Sequence, residues 1–221
     1  MKKLKKLTMF FISQFLVLFF VIPVWGGGDT GVEKLFVVTT DYSTGSYSTV
    51  NLTDWSADSS IGSIHSDAIA QYYRGKIYVI NRLYGDNIMV FSTADLTSPI
   101  LQFSTGALSN PYYMAFLNEE KAYVTLYEET DLLVVNPSTG AEITRIDLSS
   151  YADADGIPEM SSMVMLNGKL FVAIQRLDRN NFLSPTDYSQ VVVVDTQTDT
   201  VLQSVTLTGK NPIAMSYNPV M

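Results

Sequence analysis

The sequence predicts an all-β fold built from one repeated sheet, and two observations lead to that prediction. The first is a short pattern (a lysine, an apolar residue, an aromatic residue and valine) that occurs four times in the 221 residues. The copies begin at Lys34, Lys76, Lys121 and Lys169, which are 42, 45 and 48 residues apart. The second is that each repeat contains only short strand-like runs, without an amphipathic helical pattern. Self-similarity at this period without helices predicts β-propeller blades of four short antiparallel strands.

Three further runs accompany the lysine-bearing strand. A second apolar run follows it, and in the last two repeats this run ends in a tight turn at residues 136–140 and 195–198. A third run alternates apolar and polar residues, as in 142–148 and 201–207, which is typical of an outer strand wetted on one face. The innermost strand is predicted in each case where a proline opens a run. These prolines are Pro111, Pro158 and Pro212.

On these residues the chain resembles the YVTN-type β-propeller repeat family. Repeats of that family read roughly Pro-x-x-apolar, Lys-x-Tyr-Val, apolar-x-Val-Asp-x-x-Thr and Val-x-x-apolar. Residues 158–207 carry all four parts, residues 110–148 carry most of them, and the first two repeats match more loosely. The resemblance covers residues 33–217 and implies a propeller fold without a specific activity, because such folds host many functions. Another repetitive all-β fold, such as a sandwich, is the alternative.

The repeats begin and end within a blade. The first repeat starts at its second strand, and the run that Pro212 opens follows the fourth repeat. Joining that run to the first repeat would complete four four-stranded blades. Propellers of the YVTN type have about seven blades, however, and an open arc leaves strand edges and apolar sheet faces uncovered. We therefore expect residues 33–221 to be part of a larger propeller, truncated at the carboxyl end.

The amino-terminal segment predicts export from the cytoplasm. Four lysines among the first six residues precede a mostly apolar run over residues 7–24, and small residues around Gly26 offer a cleavage position. We predict a signal peptide over residues 1–26 and a linker over residues 27–32. The alternative is an uncleaved membrane anchor. Both interpretations place the repeats outside the cytoplasm, in a periplasm, at the cell surface or secreted.

Composition excludes several classes of partner and site. The chain has no cysteine, which excludes disulfides, cysteine nucleophiles and thiolate metal sites. Removal of residues 1–26 leaves 10 basic and 22 acidic residues, a net charge of −12. This balance argues against nucleic acid or an anionic membrane surface as a partner, because both require a basic face. Contact with a membrane is then expected only through an uncleaved amino-terminal segment.

Two long polar loops indicate where a ligand would contact the protein. In a propeller, the loops between the second and third strands share a face with the loops that lead from an outer strand to the next inner strand. Residues 149–159 and 175–190 belong to these two sets in the last repeat, so we expect them to meet. Binding residues concentrate on such loops because a rigid scaffold positions them.

Seven side chains in these loops are candidate ligand contacts. Three carboxylates could place oxygen ligands around one Ca²⁺, although an ordinary polar turn has the same spacing. These are Asp153, Asp155 and Asp178. Four other residues could bind an anionic or sugar ligand, or form surface salt bridges instead. These are Arg176, Arg179, Asn180 and Asp187.

The sequence predicts no catalytic residue and no cofactor other than this calcium ion. His65 is the only histidine, and no Gly-x-Ser-x-Gly elbow accompanies it. We expect a non-enzymatic binding or scaffold protein whose partner is an extracytoplasmic protein or a small molecule. One alternative is a propeller enzyme, similar to lyases or lactonases, that uses loop carboxylates with a metal ion. The other is a truncated fragment without a function of its own.

Overall fold

The computed structural model describes residues 33–217, and within them the chain folds almost entirely into β-strands. The predicted signal peptide or anchor, the linker and residues 218–221 lie outside the described residues. Between residues 33 and 217, the chain has no helix with the length and apolar character needed to cross a membrane.

The strands form successive antiparallel sheets, each built from a continuous stretch of chain. The first sheet contains β1 (Lys34–Thr40), β2 (Gly45–Asn51) and β3 (Ala57–Ile64). The second contains β4 (Ala68–Tyr73), β5 (Lys76–Asn81), β6 (Asn87–Ser92) and β7 (Leu101–Ser104). The third contains β8 (Pro111–Phe116), β9 (Ala122–Leu126), β10 (Asp131–Val135) and β11 (Glu142–Asp147).

The fourth sheet has the same strand order and carries an insertion. It begins with β12 (Met160–Leu166) and β13 (Lys169–Ile174). A small ribbon follows, formed by β14 (Leu177–Asp178) and β15 (Ser184–Pro185). The sheet is completed by β16 (Ser189–Asp195) and β17 (Thr200–Leu207). Two short 3₁₀ turns, at Ser149–Tyr151 and Arg179–Asn181, lie in the long loops.

The repeated lysine is the first residue of the second strand in the second and fourth sheets, and Lys121 immediately precedes that strand in the third. In the second and fourth sheets it follows a two-residue turn, because Tyr73 pairs with Lys76 and Leu166 pairs with Lys169. Both turns end in a glycine with positive φ, 75° at Gly75 and 71° at Gly168. A two-residue hairpin that follows the strand twist requires this left-handed backbone, which glycine adopts without steric cost.

The repeated aromatic residue joins neighbouring sheets. Tyr123 is fully buried, and its hydroxyl donates to Asp199 Oδ1 at 2.7 Å in the last turn of the fourth sheet. Lys121, two residues earlier, donates to Asp199 Oδ2 at 2.7 Å. Tyr78 makes a longer contact of 3.5 Å with the carbonyl of Pro137 in the third sheet. In these two repeats, the pattern therefore places a tyrosine ring in the core and its hydroxyl against the next sheet.

The core lies between the sheets and has two parts. The larger cluster contains buried residues of the second, third and fourth sheets. The smaller one joins the first and second sheets around Phe36, Tyr47 and Phe91, whose rings lie 5.0 to 6.3 Å apart. Substantial contacts between sheets run from each sheet to the next one along the chain.

The first sheet has three strands, as predicted for a repeat that starts at its second strand. The structure corrects the predicted strands in the last repeat and after it. Residues 212–217, which the opening proline identified as an inner strand, have no strand conformation. A strand needs a hydrogen-bonding neighbour, and no neighbouring strand of the described chain pairs with this segment. Pro158 also lies outside its predicted strand, because β12 begins at Met160.

Candidate functional site on the loop face

The end of the sheets that carries the two long loops of the predicted site is called the loop face. It comprises the loops between the second and third strands of the four-stranded sheets, the equivalent loop between β1 and β2, and the loops that lead from an outer strand to the next sheet. The segments are residues 41–44, 65–67, 82–86, 105–110, 127–130, 148–159, 175–188 and 208–217. Contacts join these loops across neighbouring sheets. For example, Asp86 accepts hydrogen bonds from the backbone N–H groups of Leu108 and Asn110 at 2.7 and 2.9 Å.

The two long loops of the predicted site do meet. Arg176 donates from Nη1 to the backbone carbonyls of Tyr151 and Ala152 at 2.8 and 2.6 Å. The backbone N–H of Arg179 donates to Asp155 Oδ2 at 2.8 Å. The loop between β13 and β16 is therefore held against the loop that precedes β12.

Arg179 joins the loops of the third and fourth sheets on this face. Its Nε donates to Glu159 Oε1 at 2.8 Å, and its Nη2 donates to the carbonyl of Tyr127 at 3.2 Å. Its Nη1 forms an ion pair with Glu128. The guanidinium also lies over the Tyr127 ring, 5.9 Å from the centroid. One planar cation thus connects two loops through hydrogen bonds that match its fork geometry.

Glu159 is a buried acid in this network, and the sequence did not single it out. Its side chain is 0% exposed, and its Oε2 accepts from the N–H of Leu177 at 2.9 Å. Burial raises the pKa of Glu159 to about 7, even though the bonds from Leu177 and Arg179 oppose that shift. Both carboxyl oxygens are occupied by protein groups, so Glu159 acts as an anchor between loops. Its position immediately before an inner strand is the only signal that could have identified it.

The three predicted calcium ligands hold turns in the described structure. Asp153 Oδ1 accepts from the N–H of Asp155 at 3.0 Å, and Asp155 Oδ1 accepts from the N–H of Ile157 at 3.0 Å. Asp178 Oδ1 accepts from the N–H of Asn180 at 2.9 Å. Among residues 33–217, no group of three or more histidine, cysteine or acidic side chains is arranged to hold a metal ion. Calcium binding by these residues stays a prediction.

The four other predicted contacts divide into two kinds. Arg176 and Arg179 both interact with protein groups. In addition to its hydrogen bonds, the guanidinium of Arg176 lies 4.4 Å from the centroid of the Tyr188 ring. Asn180 and Asp187 are exposed on the loop surface, and Asp187 lies 3.9 Å from the ammonium of Lys210. Arg176 and Arg179 hold the insertion against the preceding loops, and the other two side chains lie at the rim. Their contact with a ligand stays a prediction.

Bulky apolar side chains stand exposed on the loop face with unfavourable backbone geometry. Phe182 is 98% exposed at φ 54°, and Tyr42 is 93% exposed at φ 70°. Four further exposed residues on this face have positive φ: Leu83, Tyr84, Leu108 and Leu183. Among residues 33–217, Trp55 is the one exposed large apolar residue with positive φ outside this face. Side chains larger than glycine or asparagine rarely adopt this conformation because Cβ crowds the backbone.

The fold is similar to several solved structures. It resembles the dihydro-heme d1 dehydrogenase NirN with a TM-score of 0.52 at 12% identity. AztD from Citrobacter koseri superposes with a TM-score of 0.51 at 12% identity. The Cps50 (Swd1) β-propeller domain of Myceliophteria thermophila superposes with a TM-score of 0.56 at 10% identity. The sheets of this chain are β-propeller blades.

These similarities show the fold alone, because the identities are low. The aligned regions cover 78%, 79% and 85% of this chain, in the order above. They cover 37%, 47% and 59% of the three other chains, so this chain spans about a third to three fifths of their length. No protein-family model matches the sequence, and no curated protein matches it.

Proposed function

We propose that this chain is an extracytoplasmic β-propeller protein of the YVTN-repeat type that binds a partner through its loop face. The supporting observation is the set of exposed apolar residues with positive φ on that face, with Phe182 and Tyr42 as the most exposed members. The amino-terminal sequence supports the location, because the lysine-rich and apolar segments have the order of an export signal.

Folding stability does not account for these side chains. A left-handed backbone costs a residue other than glycine about 1 kcal/mol. A side chain that stays in water gains no burial energy in return. Burial against a partner would contribute roughly 1.5–3 kcal/mol for each large apolar side chain. Partner binding thus gives these residues a favourable role that the isolated chain lacks.

The network below these residues favours binding over catalysis. Arg179 joins three groups, and Glu159 has both oxygens engaged, so the loops have fixed positions before a partner arrives. A pre-positioned loop loses less conformational entropy on binding. A general acid or base, in contrast, needs an oxygen that can reach the substrate.

Site-specific photo-crosslinking tests the proposal. We would place a photo-reactive phenylalanine analogue at position 182 on the loop face, and at position 55 as the matched control. Both native residues are exposed aromatics with positive φ, but Trp55 lies in the turn between β2 and β3 at the opposite end of the sheets.

We expect a discrete cross-linked species in intact cells from position 182 and none from position 55. Substitution of Tyr42 and Tyr84 by asparagine should weaken the cross-link at least tenfold, since the same partner would contact them. Equal cross-linking from both positions, or none from either, would contradict a partner on the loop face.

A further inference from the structure

In the described chain, the first sheet lacks an inner strand, and residues 212–217 belong to no sheet. The second, third and fourth sheets each begin with an inner strand, namely β4, β8 and β12. In the first sheet β1 occupies an edge, and its inner side pairs with no strand of the described chain. Residues 212–217 follow the fourth sheet in the position of an inner strand but pair with none.

The backbone before residue 212 has the geometry that precedes an inner strand. Asn110 has φ 48° immediately before β8, and Glu159 has φ 48° immediately before β12. Asn211 has φ 52°, and a proline follows it as Pro111 follows Asn110. The same left-handed residue therefore directs the chain into residues 212–217, although no strand forms there.

Contacts with the fourth sheet place this segment where the next blade would start. Between the third and fourth sheets, Thr125 Oγ1 donates to the carbonyl of Ser161 on the next inner strand at 2.8 Å. Ser161 Oγ in turn donates to the carbonyl of Pro212 at 2.9 Å, and Gln175 Nε2 donates to the same oxygen at 3.4 Å. The carbonyl of Pro212 thus accepts hydrogen bonds from the fourth sheet, as the carbonyl of Ser161 accepts one from the third sheet.

The first sheet is open at the complementary place. Beside β1 is a small cavity lined by Val38, Thr39 and Thr40 on one side and by His65, Ser66 and Ala68 on the other. An exposed strand edge presents free N–H and C=O groups that can pair with another strand. Because substantial contacts run only between successive sheets, the open edge and residues 212–217 belong to opposite ends of the arc.

We propose that a second copy of this chain supplies the missing inner strand. Residues 212–217 of each copy add to β1 of the other, so two copies close one ring of eight blades. Eight is within the usual range of four to eight blades for propellers. The two contacts are related by a two-fold axis and leave no free sheet edge at either junction. Strand addition to an exposed edge is a common way to recognise an extended segment.

The strand pairing in the third and fourth sheets, counted from the repeated lysine, predicts which residues of β1 and of 212–217 would face each other. Met114 pairs with Val124 in the third sheet, and Met163 pairs with Val172 in the fourth. The equivalent pair in the first sheet is Met215 and Val37. Adjacent strands place paired Cα atoms about 4.5–5.5 Å apart, which is within the reach of a disulfide.

Because the chain has no cysteine, this pair can be tested by cross-linking. Two full-length single variants, Val37→Cys and Met215→Cys, would be co-expressed with different tags and oxidised with oxidised glutathione. The matched control combines Met215→Cys with Ser48→Cys. Ser48 pairs with Val37 on β2, so it lies one strand farther from the proposed partner, at about 10 Å.

We expect a covalent heterodimer from Val37→Cys with Met215→Cys, at least tenfold above the Ser48→Cys control. Association through the apolar amino-terminal run would cross-link both pairs alike, which would overturn the proposal. The double variant Val37→Cys/Met215→Cys tests whether residues 212–217 pair with β1 of the same chain. A disulfide within a single chain of monomer mass would show that one copy closes on itself. A monomeric chain without any cross-link would show that the strand comes from neither source.

Discussion

Arg179 and Glu159 illustrate how a loop insertion is held in one conformation. Arg179 contacts two acids and one backbone carbonyl, which belong to the loops of two sheets. Glu159 accepts a hydrogen bond from the backbone N–H of Leu177 in the same insertion. An isolated buried carboxylate would be costly, and its ion pair and backbone bond offset part of that cost. Burial still disfavours the charged carboxylate, and the pKa of Glu159 is therefore raised.

The pKa of Glu159 predicts how stability changes with pH. The pKa rises from 4.5 to about 7 in the folded state, so between these values the folded protein binds more protons than the unfolded chain. The free energy of unfolding therefore decreases as pH rises through this window. We expect wild type to lose on the order of 2 kcal/mol more than Glu159→Gln between pH 5 and 8, measured by urea denaturation.

A charge-matched variant separates this effect from general repulsion in an acidic protein. Glu120 is exposed, and Glu120→Gln removes the same charge. Its pH profile should follow that of wild type. If Glu159→Gln also follows wild type, burial does not raise the pKa of Glu159.

Phe182 combines a left-handed backbone with an exposed side chain. Asparagine adopts the left-handed backbone more readily than phenylalanine does. Since Phe182 is almost fully exposed, its replacement removes little packing. We expect Phe182→Asn to raise the free energy of unfolding by about 0.5–1 kcal/mol. Phe182→Leu keeps the unfavourable backbone and should leave stability unchanged. A destabilised Phe182→Asn protein would show that this side chain contributes to folding.

The lysine–aromatic strands of the second and third sheets, β5 and β9, each connect their blade to the next one through a tyrosine. Tyr123 makes the shortest of these tyrosine contacts, and its acceptor is a carboxylate. Burial and this hydrogen bond raise the pKa of the Tyr123 hydroxyl. We expect Tyr123→Phe to lower the free energy of unfolding by about 1.5–3 kcal/mol, measured by denaturant titration.

Tyr78→Phe is the matched comparison in the preceding sheet. Tyr78 is equally buried, but its hydroxyl makes only a 3.5 Å contact with a neutral carbonyl. Loss of this contact should cost less than about 1 kcal/mol. Equal losses in both variants would mean that ring packing, and not the bond to Asp199, explains the effect.

Periodicity predicted the elements that local sequence determines. The lysine–aromatic pattern located β5, β9 and β13, and the blade topology brought the two long loops together as expected. Residues 212–217 were predicted wrongly as a strand, because a local pattern does not show whether a partner strand exists. Glu159 was missed because its importance comes from burial and from Arg179, which lies 20 residues away in sequence.

Between residues 33 and 217, the core is unevenly distributed among the sheets. The larger cluster holds the second, third and fourth sheets together, whereas the first sheet is joined to the second by a small aromatic cluster. One bond, from the Tyr47 hydroxyl to the carbonyl of Leu96 at 2.6 Å, reinforces that junction. Regions with few buried apolar contacts open more readily than the rest of a protein.

The uneven core predicts a gradient of amide hydrogen exchange along the chain. We expect β1, β2 and β3 to exchange at least tenfold faster than β9, β10 and β13, as measured by mass spectrometry at low protein concentration. At low protein concentration β1 is hydrogen-bonded only to β2, so β2 alone protects the amides of β1 from exchange. Raising the concentration should protect β1 selectively if a second copy adds its strand there. Uniform protection at every concentration would show instead that the first sheet is as stable as the others without any added strand.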